Sequence, residues 1–173
     1  MPILAPNIAV QRQGPTRATE PNPSSLDGVT TPGKTQSTSP DASRASRLER
    51  ESSMLAEALV ALRRERSPAK AIAKLDAYDA AFPRGSLRGE ASVARIDALL
   101  ALNRNVEALN QLQRLPIMSL PRGSELRVVR AELAARQGRC DAATTDANAT
   151  LTQSTTGALA ARARRVLASC TNP

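Results

Sequence analysis

One stretch of the sequence matches a phosphate-binding loop at every defined position. Gly28-Val-Thr-Thr-Pro-Gly33-Lys34-Thr35 follows the pattern G-x-x-x-x-G-K-[ST], in which backbone N–H groups and the lysine cradle phosphate oxygens. That chemistry requires a buried strand before the loop and a helix that begins at the lysine. Proline, serine and threonine are frequent in both flanks, so neither element is expected there. We interpret the match as a coincidence and predict no nucleotide cofactor.

A second match concerns a catalytic serine. Ser67-Pro68-Ala69-Lys70 has the S-x-x-K spacing of enzymes in which serine is the nucleophile, but the companion motifs S-D-N and K-T-G are absent from the sequence. A structural interpretation suffices, because Ser67 can cap a helix whose first residue is Pro68. The chain contains no histidine, which excludes histidine-based triads and the usual zinc sites. We therefore predict no enzymatic activity, no cofactor and no metal.

The two cysteines can form a disulfide. Cys140 is predicted to begin one helix and Cys170 to end the next. If these helices are antiparallel neighbours, the two ends lie side by side, and a bridge can form only if the Cα atoms are within about 7 Å. A disulfide would imply an oxidising compartment. The alternative is two free thiols, with Cys140 buried as a small apolar side chain.

Arginine gives the chain a formal net charge of +8. Two interpretations stay open: a basic surface that attracts nucleic acid or another acidic partner, and arginine spread over solvated helix faces. Stacking on single-stranded nucleic acid uses aromatic side chains, and the chain has one tyrosine, one phenylalanine and no tryptophan. No apolar run approaches the roughly 18 residues that a membrane-spanning helix needs.

The chain divides into a tail and a helical domain. Residues 1–40 hold seven of the twelve prolines among Ser, Thr, Gly and Gln, a composition that cannot bury enough apolar surface to fold. We predict a disordered tail or linker over 1–40 and a helical repeat domain over 41–173. Apolar spacing at three and four residues predicts seven helices, at about 41–66, 68–82, 87–102, 106–115, 122–137, 140–151 and 155–169.

Local features refine these helices. Asn105 is a plausible N-cap for the fourth helix. Two charged pairs have the i,i+4 spacing that supports an exposed helix face, namely Arg47 with Glu51 and Glu132 with Arg136. The sixth helix is the weakest of the seven, because alanine and threonine leave it little apolar stripe.

The helices form an internal repeat. Ala71, Ala108 and Ala142 align at steps of 37 and 34 residues, and the same steps align Leu62, Leu99 and Leu133. A hairpin of two helices buries only part of its apolar face, and stacking of the next hairpin completes the burial. The small residue allows the second helix to cross close to the first.

The repeat resembles the tetratricopeptide repeat over about residues 50–170. Leu99, Ala108, Leu112 and Pro116 fall at the family's apolar, small, apolar and terminal proline positions. The stretch from Tyr78 to Ala91 resembles the Y-x-x-x-F-P…A join of bacterial cell-envelope members. The family's tryptophan and helix-A tyrosine are missing, and Asn103 stands where the family has glycine.

This resemblance implies a fold and a location. The fold is an all-α, right-handed solenoid of about three helical hairpins and a C-terminal helix, whereas an unrelated helix bundle is the alternative. The location is the periplasm or cell envelope of a bacterium, with the cytoplasm as the alternative. The chain would then be the C-terminal part of a membrane-anchored protein or a separate protein.

The resemblance also implies a role and a binding surface. Stacked hairpins form a concave face lined by the first helix of each pair, which binds an extended or helical segment of a partner protein. Basic nucleic-acid binding is the alternative function. Carried over by the repeat steps, the family's groove positions are Ser53, Val60, Arg63, Arg64, Glu90, Val93, Asp97, Ser124 and Arg127.

Overall fold

The structure, a computed structural model, describes residues 40–171, which form helices and turns without a strand. The predicted all-α class is confirmed there. A single 3-10 turn, Ile117–Ser119, connects two of the helices. The helices are α1 (Pro40–Arg63), α2 (Pro68–Ala81), α3 (Arg88–Ala101), α4 (Asn105–Arg114), α5 (Gly123–Arg136), α6 (Cys140–Gln153) and α7 (Gly157–Thr171).

Two sequence predictions fall on residues that the structure does not describe. The tail predicted over 1–40 and the phosphate-loop match at 28–35 lie outside the described residues, apart from Pro40, at which α1 begins. Between residues 40 and 171, every helix is too short or too polar to cross a membrane.

The helix ends lie within two residues of the predicted ones, except that α1 ends at Arg63 rather than at about residue 66. Ser67 lies at the N-cap of α2 and Pro68 is the first helical residue, although the serine side chain makes no capping hydrogen bond. The prediction of Asn105 as the cap of α4 is wrong, because Asn105 is already helical and Arg104 precedes it. The Arg104 guanidinium instead donates a 2.6 Å hydrogen bond to the carboxylate of Glu107 in the first turn.

The three helical hairpins share one turn. Arg66, Asn103 and Gly138 lie between α1 and α2, α3 and α4, and α5 and α6, and their φ angles are 51°, 56° and 71°. A residue in this left-handed region lets a helix stop and the chain reverse within a few residues. Asn103 follows Arg66 by 37 residues, and Gly138 follows Asn103 by 35. The same conformation therefore recurs at nearly the spacing expected for the repeat.

Alanine is buried at one position of each second helix. Ala71, Ala108 and Ala143 are all 0% exposed, at the same steps of 37 and 35 residues as the turns. The predicted third member, Ala142, is wrong by one residue, because Ala142 is exposed. The position in α6 that corresponds to Ala71 and Ala108 is therefore Ala143, one residue later than predicted.

Two apolar clusters fill most of the interior. One lies among α1, α2 and α3 and contains Leu55, Leu75, Tyr78 and Phe82. The ring centroids of Tyr78 and Phe82 are 5.6 Å apart. The other extends from α3 to α7. Its larger side chains are Val93, Ile96, Leu99, Leu109, Leu112, Ile117, Leu126, Leu133 and Val166.

A buried carboxylate joins the first three helices. Glu51 is 2% exposed, and its Oε1 accepts hydrogen bonds from Tyr78 Oη and from the backbone N–H of Leu87, each at 2.6 Å. Burial raises the pKa of Glu51, but these bonds, a bond from the Ser86 backbone and the charge of Arg47 together lower it below the ordinary 4.5. The sequence predicts Glu51 on a solvated helix face beside Arg47. In the structure its hydrogen bonds instead connect α1 to α2 and to the start of α3.

We expect the Gly85→Ala variant to test this junction. An added Cβ would collide with Oε1 of Glu51 and lie 2.9 Å from the Tyr78 hydroxyl, so the variant should lose about 1–3 kcal/mol of unfolding free energy through overpacking. Gly89→Ala is the matched control, because its Cβ would meet Leu120 Cδ2 at an ordinary 3.5 Å. Urea denaturation of both variants measures the difference, and equal stability would contradict the tight junction.

We also expect Glu51 to contribute to acid sensitivity. Because its folded pKa lies below the ordinary 4.5, its stabilisation is present above that value and is lost as pH falls toward the folded pKa. Glu51→Gln should lower stability at pH 7 by about 2–4 kcal/mol and make the loss of stability below about pH 4.5 shallower. Unfolding free energies from pH 7 to pH 3 measure both effects. Parallel curves for the two proteins would contradict the role of the charge.

The two cysteines lie where the sequence predicts them. Cys140 begins α6 and Cys170 lies in the last turn of α7, and the sulfurs are at disulfide distance with the Cα atoms 5.4 Å apart. The bridge spans 30 residues and closes the α6–α7 hairpin, whose buried residues are mostly alanine with one valine. The disulfide thus reinforces the hairpin with the smallest buried side chains.

Removal of this bridge should be measurable. In the chain-entropy treatment a 30-residue loop contributes about 3–4 kcal/mol, so Cys140→Ser with Cys170→Ser should lower the unfolding free energy by about that amount. Addition of a dithiol should lower the stability of the wild-type protein similarly and leave the double variant unchanged. A stability change of the variant on reduction would show that the effect does not come from this bridge.

Candidate functional site

Three positions on the first helices of the hairpins are related by the repeat steps. Val60 on α1, Asp97 on α3 and Glu132 on α5 lie at the same steps of 37 and 35 residues as the turns. Asp97 Oδ2 accepts a 2.8 Å hydrogen bond from Arg122 Nη1, at the start of α5. Glu132 accepts two, at 2.8 and 2.7 Å, from Arg162 on α7. The two acidic residues at these equivalent positions, Asp97 and Glu132, therefore each bind an arginine that lies outside their own helix.

The residues predicted to line a groove differ in their availability. Val93 is 7% exposed and packs in the larger apolar cluster, so it offers little surface to a partner. Asp97 is half-buried and bonded to Arg122, whereas half-buried Arg127 donates a 3.3 Å hydrogen bond to the carbonyl of Ala149 on α6. The remaining six are exposed: Ser53, Val60, Arg63, Arg64, Glu90 and Ser124.

Only two of the predicted residues lie together on a described groove. Ser53 and Val60 line a shallow depression of about 300 Å³ between α1 and α2. Its rim carries two ion pairs, Lys74 with Glu57 at 2.6 Å and Lys70 with Glu65 at 2.8 Å. Lys70 of the S-x-x-K match therefore lies in a surface ion pair.

A second groove lies between α5 and α7, and we name it the α5–α7 groove. It has a volume of about 330 Å³. Sequence reasoning missed most of this site, since it paired Glu132 with Arg136, whereas Glu132 binds Arg162. The Arg-Ala-Arg-Arg run at 162–165 is the signal that could have found it. The lining residues are Glu132, Ala135, Arg136, Arg162, Arg165, Val166 and Ser169.

The electrostatics of the α5–α7 groove are dominated by arginine. The hydrogen bonds from Arg162 lower the pKa of Glu132, burial opposes them, and the charges of Arg136 and Arg165 lower it further. The same ion pair raises the pKa of Arg162. The groove therefore holds one ionised carboxylate among three guanidinium groups at neutral pH.

The largest described groove lies among α2, α3 and α4 and has a volume of about 530 Å³. Its apolar lining comes from Ile72, Leu99 and Leu115. Arg95 bridges α3 to α2 by donating to Asp76 at 2.6 Å and to Asp79 at 2.9 Å. The other lining residues are Arg104, Glu107, Asn110, Gln111 and Arg114.

Arg130 on α5 connects this helix to α6 and to α4. It lies 35 residues after Arg95 and donates two 2.7 Å hydrogen bonds to Asp146 on α6, which is 8% exposed. A third contact, at 3.5 Å, reaches the carbonyl of Leu112 on α4. Bidentate arginine–carboxylate pairs impose orientation as well as energy, so Arg130 sets α6 against α5 and α4.

The described residues hold no cluster of metal-ligating side chains, since within residues 40–171 no three Cys, Asp or Glu side chains are grouped as metal ligands. Most of the carboxylates named above accept hydrogen bonds from arginine, lysine, tyrosine or backbone donors. The grooves present guanidinium groups and apolar side chains to the solvent.

No protein-family model, curated protein or solved structure matches this chain.

Proposed function

We propose that residues 40–171 form a right-handed, tetratricopeptide-like solenoid that acts as a non-catalytic protein-interaction scaffold. Three hairpins and α7 stack side by side, and the first helices line a concave face that binds an extended or helical segment of a partner protein. The single observation that carries this proposal is the recurrence of turns, buried alanines and first-helix positions at the same steps of 37 and 35 residues.

The pattern of helix contacts supports the stacking. Each helix packs against the next one along the chain, and α1 also contacts α3 while α5 also contacts α7. The Arg122–Asp97 and Arg162–Glu132 pairs add ties from α3 to the start of α5 and from α5 to α7. In solenoids each repeat contacts mainly its neighbours, and the contacts of each helix with the next, of α1 with α3 and of α5 with α7 agree with such a stack.

Exposed residues on the first helices support the binding role. Arg63 and Arg64, at the end of α1, are exposed and make no ion pair with any residue that the structure describes. Ser53, Val60, Glu90 and Ser124 are exposed as well. Arginine is favoured at the energetic centres of interfaces because its planar head combines charge with apolar contact.

The paired cysteines support an oxidising location. Disulfides persist in secreted and periplasmic proteins and are rare in reducing compartments. We therefore place the scaffold in the bacterial periplasm or cell envelope.

Charge reversal tests the proposed face. Arg63→Glu with Arg64→Glu should abolish capture of a partner that the wild-type protein retains, because the change inverts two charges that lie free on α1. Arg84→Glu with Arg88→Glu is the matched control, since both arginines are exposed and neither belongs to the predicted groove. Capture is measured with immobilised protein and identified partners.

Two outcomes would contradict the proposal. Loss of the partner in both double variants would reveal only a general charge effect. Retention of the partner in both would exclude the groove assigned to α1.

If nucleic acid is captured instead, binding should fall steeply between about 50 and 200 mM salt, which is the signature of phosphate contacts.

A further inference from the structure

The α5–α7 groove carries unbalanced positive charge. Its lining has three guanidinium groups and one carboxylate, and Glu132 is bonded to Arg162 alone. Arg136 and Arg165 are exposed and make no hydrogen bond or ion pair with any residue between 40 and 171. Two of the three positive charges in this groove therefore have no hydrogen-bonded counter-ion among the described residues.

The walls of the groove strengthen this field. Ala135 and Val166 are apolar and line the groove together with the charged side chains, and low-dielectric walls concentrate electrostatic potential in a cleft. Each guanidinium presents a planar fork of N–H donors that suits oxyanions. The Ser169 hydroxyl donates to the carbonyl of Val166 at 2.8 Å, so the available donors are those of the arginines.

From this arrangement we infer that the α5–α7 groove binds a phosphate monoester dianion between Arg136 and Arg165. A phosphate monoester carries a charge of about −1.5 to −2 at pH 7, which matches the two unpaired guanidinium groups, whereas a single carboxylate would neutralise only one. The inference goes beyond the proposed function, because a phosphate group can bind this groove whether or not a polypeptide occupies the rest of the face.

Titration of the protein with inorganic phosphate, at ionic strength held constant with chloride, tests the site. Saturable shifts of backbone amide resonances in two-dimensional NMR spectra should be confined to about residues 132–136 and 162–169. Arg136→Gln with Arg165→Gln should weaken the affinity at least about tenfold, since each guanidinium supplies charge-assisted hydrogen bonds. Arg84→Gln with Arg88→Gln removes the same charge elsewhere and should change it less than about twofold.

A third variant should act in the opposite direction. Glu132→Gln removes the internal carboxylate and frees Arg162, so phosphate affinity should rise several-fold while the unfolding free energy falls. If Arg136 and Arg165 had only a structural role, the Glu132→Gln variant would not bind phosphate more tightly than the wild-type protein. Equal weakening in the two arginine double variants would overturn the site, as would shifts that do not saturate.

The charge of the ligand distinguishes a phosphate site from a general anion site. Affinity for a phosphate monoester should rise as the pH increases through about 6, where its second proton leaves, and acetate at the same ionic strength should bind much more weakly. Acetate binding as tight as phosphate would overturn the assignment. A phosphoserine peptide then identifies the source of the phosphate group. Tighter binding of the peptide than of inorganic phosphate supports a phosphorylated segment, and equal binding supports a site for the phosphate group alone. Failure of both ligands to bind overturns the inference.

Discussion

Close approach of helices at alanine is the constraint on which this structure depends. A chain with one phenylalanine, one tyrosine and no tryptophan cannot fill wide gaps between helices, so the helices must lie close together. Ala61, Ala71 and Ala98, on three successive helices, are all completely buried and pack on one another. Dispersion forces fall off steeply with distance, and short side chains therefore stabilise this fold only if the backbones nearly touch. Tight turns through a left-handed residue follow from the same need.

Bidentate arginines supplement what these small side chains contribute. Arg95, Arg130 and Arg162 each bind acidic groups on a neighbouring helix and are at most about a quarter exposed. Arg95 reaches back to α2, whereas Arg130, 35 residues later, reaches forward to α6. Such pairs fix the rotation of one helix against the next, which alanine faces leave weakly determined. The arginine content thus serves two purposes: some guanidinium groups orient helices, and others, including Arg63, Arg64, Arg136 and Arg165, face the solvent.

Sequence reasoning predicted the parts of this fold that depend on local periodicity. Six of the helices and the pairing of Cys140 with Cys170 follow from apolar spacing and from helices that alternate in direction, and α1 ends three residues earlier than expected. Ala142 was placed one residue early because α6 is so rich in alanine and threonine that its apolar letters fit two registers. Glu51 could not be recognised as buried, since its partners lie 27 and 36 residues away in sequence. The α5–α7 groove was missed for a similar reason: a charge run on one helix does not reveal which helix it faces.

The bridge between Cys140 and Cys170 also determines how the chain would carry mechanical tension. Any pull exerted beyond Thr171 enters the domain at Cys170 and crosses the sulfur–sulfur bond to Cys140. The force then passes directly to Gly138 and the C-terminal end of α5, so α6 and α7 lie outside the stretched path. These helices cannot be unravelled from that end while the bridge is intact. The hairpin with the smallest buried side chains is thus also the one that a tether at the C-terminal end would leave unstrained.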